Sequence, residues 1–383
     1  MIYLDNSATT RPSDAALSRM IALAGERWGH PSQPHQKGQE LYSVMEESLK
    51  QIYALLGAAD EDGFVFTSSG AEAVAQVIQS LYWDVAQQTG RNHFVAASID
   101  EAPALMAIGR LEMQGCACKL VQPDSSGRIT KEAVADALSP RTALVSLSWA
   151  NGLTGVIHPV GEIATLCEER GILLHLEATH VLGKLYYNLE DVGASYITFN
   201  GDNLHAPKGT GGIYYKAGSP LSSLIPGGIE QAGKRAGNFS VAALAGLAES
   251  CREAVECRDL LAMETARLRD KLEEGVLQGV PDARIFYRDV ERLPNVTAIG
   301  FPGVSSEALL YYLSKKGVLA SIGGGSYQQI GLLLEAAGVE RGLAGSAVSF
   351  SLSRETTEEE VERAAGVIVE AAKELQKVSG GII

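Results

Sequence analysis

The chain has 383 residues, 46% hydrophobic and 20% charged, an ordinary globular usage that excludes a disordered or low-complexity protein. Acidic residues outnumber basic ones 46 to 32, a formal net charge of -14, so the electrostatic footprint of a nucleic-acid or anionic-membrane binder is missing. The five cysteines (Cys116, Cys118, Cys167, Cys251 and Cys257) are too few and too scattered for a disulfide framework or a paired zinc site, and they fit a reducing compartment.

The opening residues show no basic stretch followed by an apolar one, and no window is long and apolar enough to span a bilayer. The sequence therefore predicts a soluble, unexported, cytoplasmic protein that contacts neither membrane nor nucleic acid. From about residue 60, short β-branched or aromatic runs alternate with helical patterns. Strands are predicted at Phe64–Thr67, His93–Ala97, Thr142–Leu147, Ile172–Leu176, Ser195–Phe199 and Gly212–Lys216. Helices are predicted over Ala71–Gln88, Glu101–Gln114 and Val160–Arg170. Such alternation argues for a mostly parallel sheet covered on both faces. One long helical stretch, Val241–Gly279, then leads into a smaller α+β unit. Its strands are Asn295–Gly300 and Ala347–Leu352, and its helices Ser305–Lys316 and Thr357–Val378. The last helix opens on a threonine and three glutamates, a first turn that suits the helix dipole.

In an open parallel sheet, ligands bind in the loops at the carboxyl ends of the strands. Those loops line up Glu72, Asp100, Glu101, Asn151, Glu177, His180, Asp202, Asn203 and His205 along one rim. Any one of them is more simply a solvated loop residue. Their clustering is what points to a site.

Several segments carry a resemblance, in order and nearly end to end: Tyr3-Leu-Asp-Asn-Ser-Ala-Thr-Thr10, Trp28-Gly-His-Pro-Ser-Gln-Pro-His35 and Phe66-Thr-Ser-Ser-Gly70. They continue with Trp149-Ala-Asn151, Thr154-Gly155, His205-Ala-Pro-Lys-Gly-Thr-Gly-Gly212, Gly227-Gly228, Arg235-Ala-Gly237 and Phe350-Ser-Leu-Ser-Arg354. Together they resemble the cysteine desulfurases, in the class V aminotransferase group of pyridoxal-phosphate enzymes. The resemblance implies a fold-type I α/β architecture with a large, mostly parallel seven-stranded sheet. It places a large cofactor-type domain at residues 12–255 and a small α+β domain at residues 1–11 and 256–383. It also implies a two-fold dimer, whether with a second copy or with an intact relative.

The same resemblance marks departures. The family holds pyridoxal phosphate as a Schiff base on a lysine whose position here is Asn203, and no lysine stands between Lys184 and Lys208. An amide cannot form that bond. The family's sulfur-accepting cysteine corresponds to Ser326, and no cysteine follows Cys257. A serine hydroxyl is barely ionised at neutral pH and is a poor substitute for a thiolate. The aspartate under the pyridine nitrogen reads Glu177, the glutamine near the ring oxygen His180, and the ring-stacking histidine Glu101. The phosphate contacts read Ala71, Asn200 and Asp202, and the threonine lent by a partner subunit reads Asn238. Asn151 sits beside the family's ring-contacting asparagine, which itself reads Gly152. Arg354 matches the arginine that grips the substrate carboxylate. An aspartate about 4 Å from a phosphate would repel each unit charge by roughly 4 kcal/mol at an effective dielectric near 20.

Three functions stay open. One is a catalytically degenerate homologue, a pseudoenzyme that works by binding or regulation and has no covalently bound cofactor. The second is an active desulfurase or lyase with its lysine relocated to Lys208 or Lys184. The third is a metal or small cation held in the old cleft by Glu101, Glu177, His180, Asp202 and His205.

Overall fold

Twelve strands organise the residues described by the structure, a computed structural model covering 1–325 and 328–380. Seven of them form the main sheet: β2 (Gly63–Thr67), β3 (His93–Ala97), β4 (Ala117–Val121), β5 (Thr142–Ser148), β6 (Leu173–Glu177), β7 (Tyr196–Asn200) and β8 (Gly211–Tyr215). Their spatial order is β2-β8-β7-β6-β5-β3-β4, parallel from β7 through to β4. Strand β8 runs antiparallel to both its neighbours. The centre of the sheet reads as near-continuous apolar sequence because both faces are covered. Every residue of β5 is buried.

The remaining strands are β1 (Ile2–Tyr3), β9 (Arg284–Ile285), β10 (Val296–Gly300), β11 (Val318–Leu319) and β12 (Ala347–Ser351). Strands β12, β10 and β9 form a small antiparallel sheet, and β1 pairs in parallel with β11. A bridge from Asp5 to Ser351 continues that stitching of the first residues onto the last strand.

Nine helices are used below: α1 (Asp14–Glu26), α2 (Tyr42–Leu56), α3 (Gly70–Leu81), α4 (Ala102–Met113), α5 (Val160–Glu169), α6 (Val241–Glu256), α7 (Arg258–Gly279), α8 (Ser306–Lys315) and α9 (Glu358–Gly380). Helices α3 and α4 pack on each other against one face of the main sheet, while α5 lies beside β6. Two expected helices differ. The segment expected to run from Ala71 to Gln88 leaves α-helical geometry at Leu81 and passes through a wider turn, Tyr82–Ala86. There Asp84 accepts from the hydroxyls of Ser80 and Ser222. The stretch expected as one helix from Val241 to Gly279 breaks at Cys257, whose φ of −95° and ψ of 5° are not helical. Its two halves serve different partners, α6 packing on α1 and α2, and α7 on α9.

A second core lies around β10 and β12, with Leu272, Phe301, Phe350 and Ile368 wholly buried. Ile2 and Leu4 are inserted into it, so the first strand belongs to this core through apolar burial as well as pairing. Among the described residues, no helix is long and apolar enough to cross a membrane.

Candidate functional site

The carboxyl ends of β3, β5, β6 and β7 meet the amino end of α3 around a cavity of about 150 Å3. Its walls include Glu101, Glu177, Thr179, Asn200 and Asn203, with Ala8 reaching in from the N-terminal segment. Each wall residue is aimed by local chemistry. After β3 the chain turns on Asp100, which is 1% exposed and accepts from the backbone amides of Ala97 and Ser148, both at 2.8 Å. That turn places Glu101 at the N-cap position of α4. Strand β6 ends on Glu177, whose Oε1 accepts from the amide (3.1 Å) and the hydroxyl of Thr179. Its Oε2 is buried and has no hydrogen-bond partner among the described residues.

The next turn carries His180 across to Glu101, Nε2 to Oε1 at 2.8 Å. Gly152 makes room for that ring, because a Cβ at 152 would stand 2.5 Å from His180 Nε2. At the opposite wall, Ser69 caps α3 by accepting from the Glu72 amide, and Asn200 Oδ1 lies 3.4 Å from the Gly70 amide. Glu72 is tied to the amide and hydroxyl of Ser68 and to Arg235 Nε at 2.9 Å.

Burial dominates the electrostatics. It raises Glu101 to about 8, and it raises Glu177 to about 7, with the Glu101 charge adding to the rise. It lowers His180 to about 4 and Lys184 to about 8, in both cases against the opposing pull of Glu177. The Glu101–His180 contact is thus a shared proton rather than two separated charges. Lys184 lies beneath, in an adjoining recess with Asn203, His205 and Arg354.

The rim anticipated from sequence is only partly assembled. Glu101, Glu177 and His180 come together, and Ala71, Asn200 and Asn203 line the same cavity or its edge. Asp202 does not. Its carboxylate turns away to Lys208 Nζ at 3.2 Å and the Thr9 hydroxyl at 3.4 Å, so the repulsion assigned to it above is not exerted on this cavity. His205 also faces elsewhere, with Nδ1 2.8 Å from the Arg11 carbonyl. The five-residue metal set is therefore corrected: among the described residues, no three His, Cys, Asp or Glu side chains are placed to hold a metal ion.

Asn203 is 3% exposed and donates to the Ser7 carbonyl at 2.6 Å, while its Oδ1 accepts from Asn200. Asn151 is structural, its Oδ1 accepting from the amides of Leu153 and Thr154. Arg354 pairs with Glu253 at 2.6 Å and lines the recess, not the cavity. Asn238 is exposed, and Ser326 lies outside the described residues. Sequence reasoning missed Thr179. Its signal was the Glu-x-Thr spacing, which lets a hydroxyl reach back two residues.

The family model described as Aminotransferase class-V matches residues 2–364. The chain belongs to the class V aminotransferase family. It is 34% identical to a cysteine desulfurase of Gluconacetobacter diazotrophicus, covering 99% of this chain and 95% of that one. It is 32% identical to the cysteine desulfurase NifS of Azotobacter vinelandii, covering 99% and 94%. A solved NifS-like protein superposes with a TM-score of 0.89 at 30% identity, covering 96% of this chain and 98% of that one. The seven-stranded fold-type I architecture is that of these class V relatives.

Pyridoxal phosphate is the cofactor of this class V group. The residues here do not fit that cofactor held on a lysine. The amide at 203 is committed to Ser7 and Asn200. Two of the helix amides that would meet a phosphate at the start of α3, those of Gly70 and Glu72, already face Asn200 and Ser69 oxygens. Among the described residues, two carboxyl side chains and neither lysine nor arginine line the cavity.

Proposed function

We propose that this class V aminotransferase homologue is catalytically degenerate and acts by binding rather than by turnover, in the cytoplasm and as a two-fold dimer with itself or with an intact relative. The observation that carries the reading is Asn203. It is an amide with no nucleophilic lone pair, it is buried at the family's lysine position, and it serves as the clamp between Ser7 and Asn200. The absence of any cysteine after Cys257 supports it from the sulfur-accepting side. The test is titration of the purified chain with pyridoxal phosphate, followed by borohydride reduction and peptide mapping. The expected result is no visible absorbance band, no pyridoxyl-lysine and no sulfide from cysteine. Sedimentation of the chain alone and mixed with an intact relative tests the dimer.

A second reading keeps the chain an enzyme, with the anchor moved to Lys184. One observation favours it: burial holds this amine near 8, so an appreciable neutral fraction exists at neutral pH. Lys208 has no such claim, being half-exposed and paired with Asp202. A pyridoxyl group mapped to Lys184 would establish this alternative.

A further inference from the structure

We propose that residues 222–235 form a strap that releases as a unit, and that its release loosens the Ser69–Ala71 wall of the cavity, so that strap and wall are one two-state device. The device works whether or not the chain turns over a substrate.

The strap is pinned along one face of α3. Glu72, Gln76 and Ser80 stand four residues apart, one above the other on the helix, and Asp84 continues the row into the wider turn. Glu72 accepts from Arg235 Nε at 2.9 Å. Gln76 Nε2 donates to the carbonyls of Lys234 (2.7 Å) and Ser222 (3.2 Å). Ser80 Oγ accepts from the Ser222 amide at 3.0 Å, and Asp84 from the Ser222 hydroxyl at 2.6 Å. Lys234 Nζ closes the loop on itself by donating to the Leu221 carbonyl at 2.7 Å. All these pins are polar, and water takes their place when the strap lifts.

One further pin stores strain. Strand β2 is an outer strand of the main sheet, and the Gln231 carboxamide lies along its open edge. Its Oε1 accepts from the Phe66 amide at 2.7 Å and its Nε2 donates to the Phe66 carbonyl at 3.0 Å. A residue of a neighbouring strand would exchange the same two bonds. To reach that edge the backbone turns left-handed at Gln231 (φ 50°) and Ala232 (φ 55°), and stays so at Gly233 (φ 73°). The conformation is unfavourable for the two residues that carry a Cβ, so release relieves it.

Little apolar burial opposes release. Leu221 and Ala236, at the two ends, are buried and serve as hinges, while Ile225 and Ile229 between them are exposed, Ile229 at 86%. What the strap holds is the run from Phe66 to Glu72, whose middle residues Ser69, Gly70 and Ala71 line the cavity. Gln231 fixes the run ahead of its turn. Arg235 fixes it afterwards through Glu72, which also accepts from the Ser68 amide at 2.8 Å. With both pins gone, the turn loses its outer support on each side.

The test is hydrogen–deuterium exchange on the intact chain, read by mass spectrometry for the unaltered protein and for Gln231→Ala. The decisive peptide is 67–75, because both bonds of the Gln231 side chain end on Phe66, outside it. Its amides should exchange at least about tenfold faster in the variant, together with those of 219–237, while 142–148 in β5 does not change. Arg235→Gln, at the other pin, should accelerate the same two peptides. Acceleration confined to 219–237, or none at all, would overturn the proposal. Should neither variant melt cooperatively, the unaltered chain decides. Peptides 67–75 and 219–237 should then share one denaturant dependence, below that of β5, and separate dependences would overturn the device. The pyridoxal-phosphate titration tests the binding role independently of these outcomes.

Discussion

Raising the pH from 6.5 to 8 should withdraw the stability that the two protonated cavity carboxyls supply, a loss that comparison with a variant lacking them isolates. A carboxyl whose pKa is raised by folding stabilises the native state fully below its unfolded value, and that contribution is lost as pH climbs through the folded value. Here the unfolded value is 4.5 and the folded values are about 7 for Glu177 and about 8 for Glu101. Integrated over that window, the two groups together remove about 2 kcal/mol. The buried histidines oppose this loss. His158, His175, His180 and His205 are lowered from 6.5 to between about 3 and 4, so the unfolded chain still holds about half of their protons at pH 6.5, and losing them by pH 8 returns about 1.5 kcal/mol in all. Lys184, lowered to about 8, opposes the trend only weakly before pH 8 and takes over above it. Urea denaturation at half-unit intervals measures the slope directly. The double substitution Glu101→Gln, Glu177→Gln should turn the profile into a rise, the variant gaining about 2 kcal/mol on the unaltered chain between pH 6.5 and 8. A difference between the two that stays constant across that window would refute the assignment of protons to this cavity.

Asn203→Lys alone should not produce a visible absorbance band with pyridoxal phosphate, because the Gly70 and Glu72 amides of α3 remain occupied by the chain's own oxygens and two carboxyls still line the cavity; a spectrum at pH 8 checks it. Gly152→Ala should cost roughly 1–3 kcal/mol by overpacking, since its Cβ would sit 2.5 Å from His180 Nε2; thermal denaturation reads the loss. Arg292→Ala should cost roughly 3–5 kcal/mol, because Glu273 is fully buried and Arg292, at 2.9 Å, is its nearest cation; denaturant midpoints measure it. A double-mutant cycle on Arg354 and Glu253 should give a coupling of about 1–3 kcal/mol, as their 2.6 Å contact is only partly solvated.

The sheet was largely legible in the sequence because its inner strands are covered on both faces and read as apolar, β-branched runs. Strand β4 was not. It is one of the two edge strands, and Ala117, Lys119 and Leu120 face solvent, so the residues that make it a strand do not alternate or cluster. The break at Cys257 was equally hidden, because nothing local forbids helix there and the cause is the divergence of two packing surfaces. In the site, residue identities were readable but directions were not. Asp202 and Asn203 lie on a 3-10 turn, Gly201–Leu204, where successive side chains point about 120° apart. One therefore enters the cavity while its neighbour turns to Lys208. The Glu101–His180 contact joins residues 79 positions apart, and no spacing rule reaches that far.

The placement of the first strand bears on when the cavity can exist at all. Residues 2–3 pair with 318–319, the Asp5 bridge needs Ser351, and the Ser7 carbonyl that Asn203 grips belongs to the same segment. A nascent chain emerges from its N-terminus, so these residues are made roughly three hundred residues before the strands they pair with. The main sheet has all seven strands once residue 215 is out, more than a hundred residues before β11. Until then the part of the wall that Ala8 supplies, and the Ser7 carbonyl that holds Asn203, are missing. The cavity is therefore completed only when the N-terminal segment meets β11 and β12.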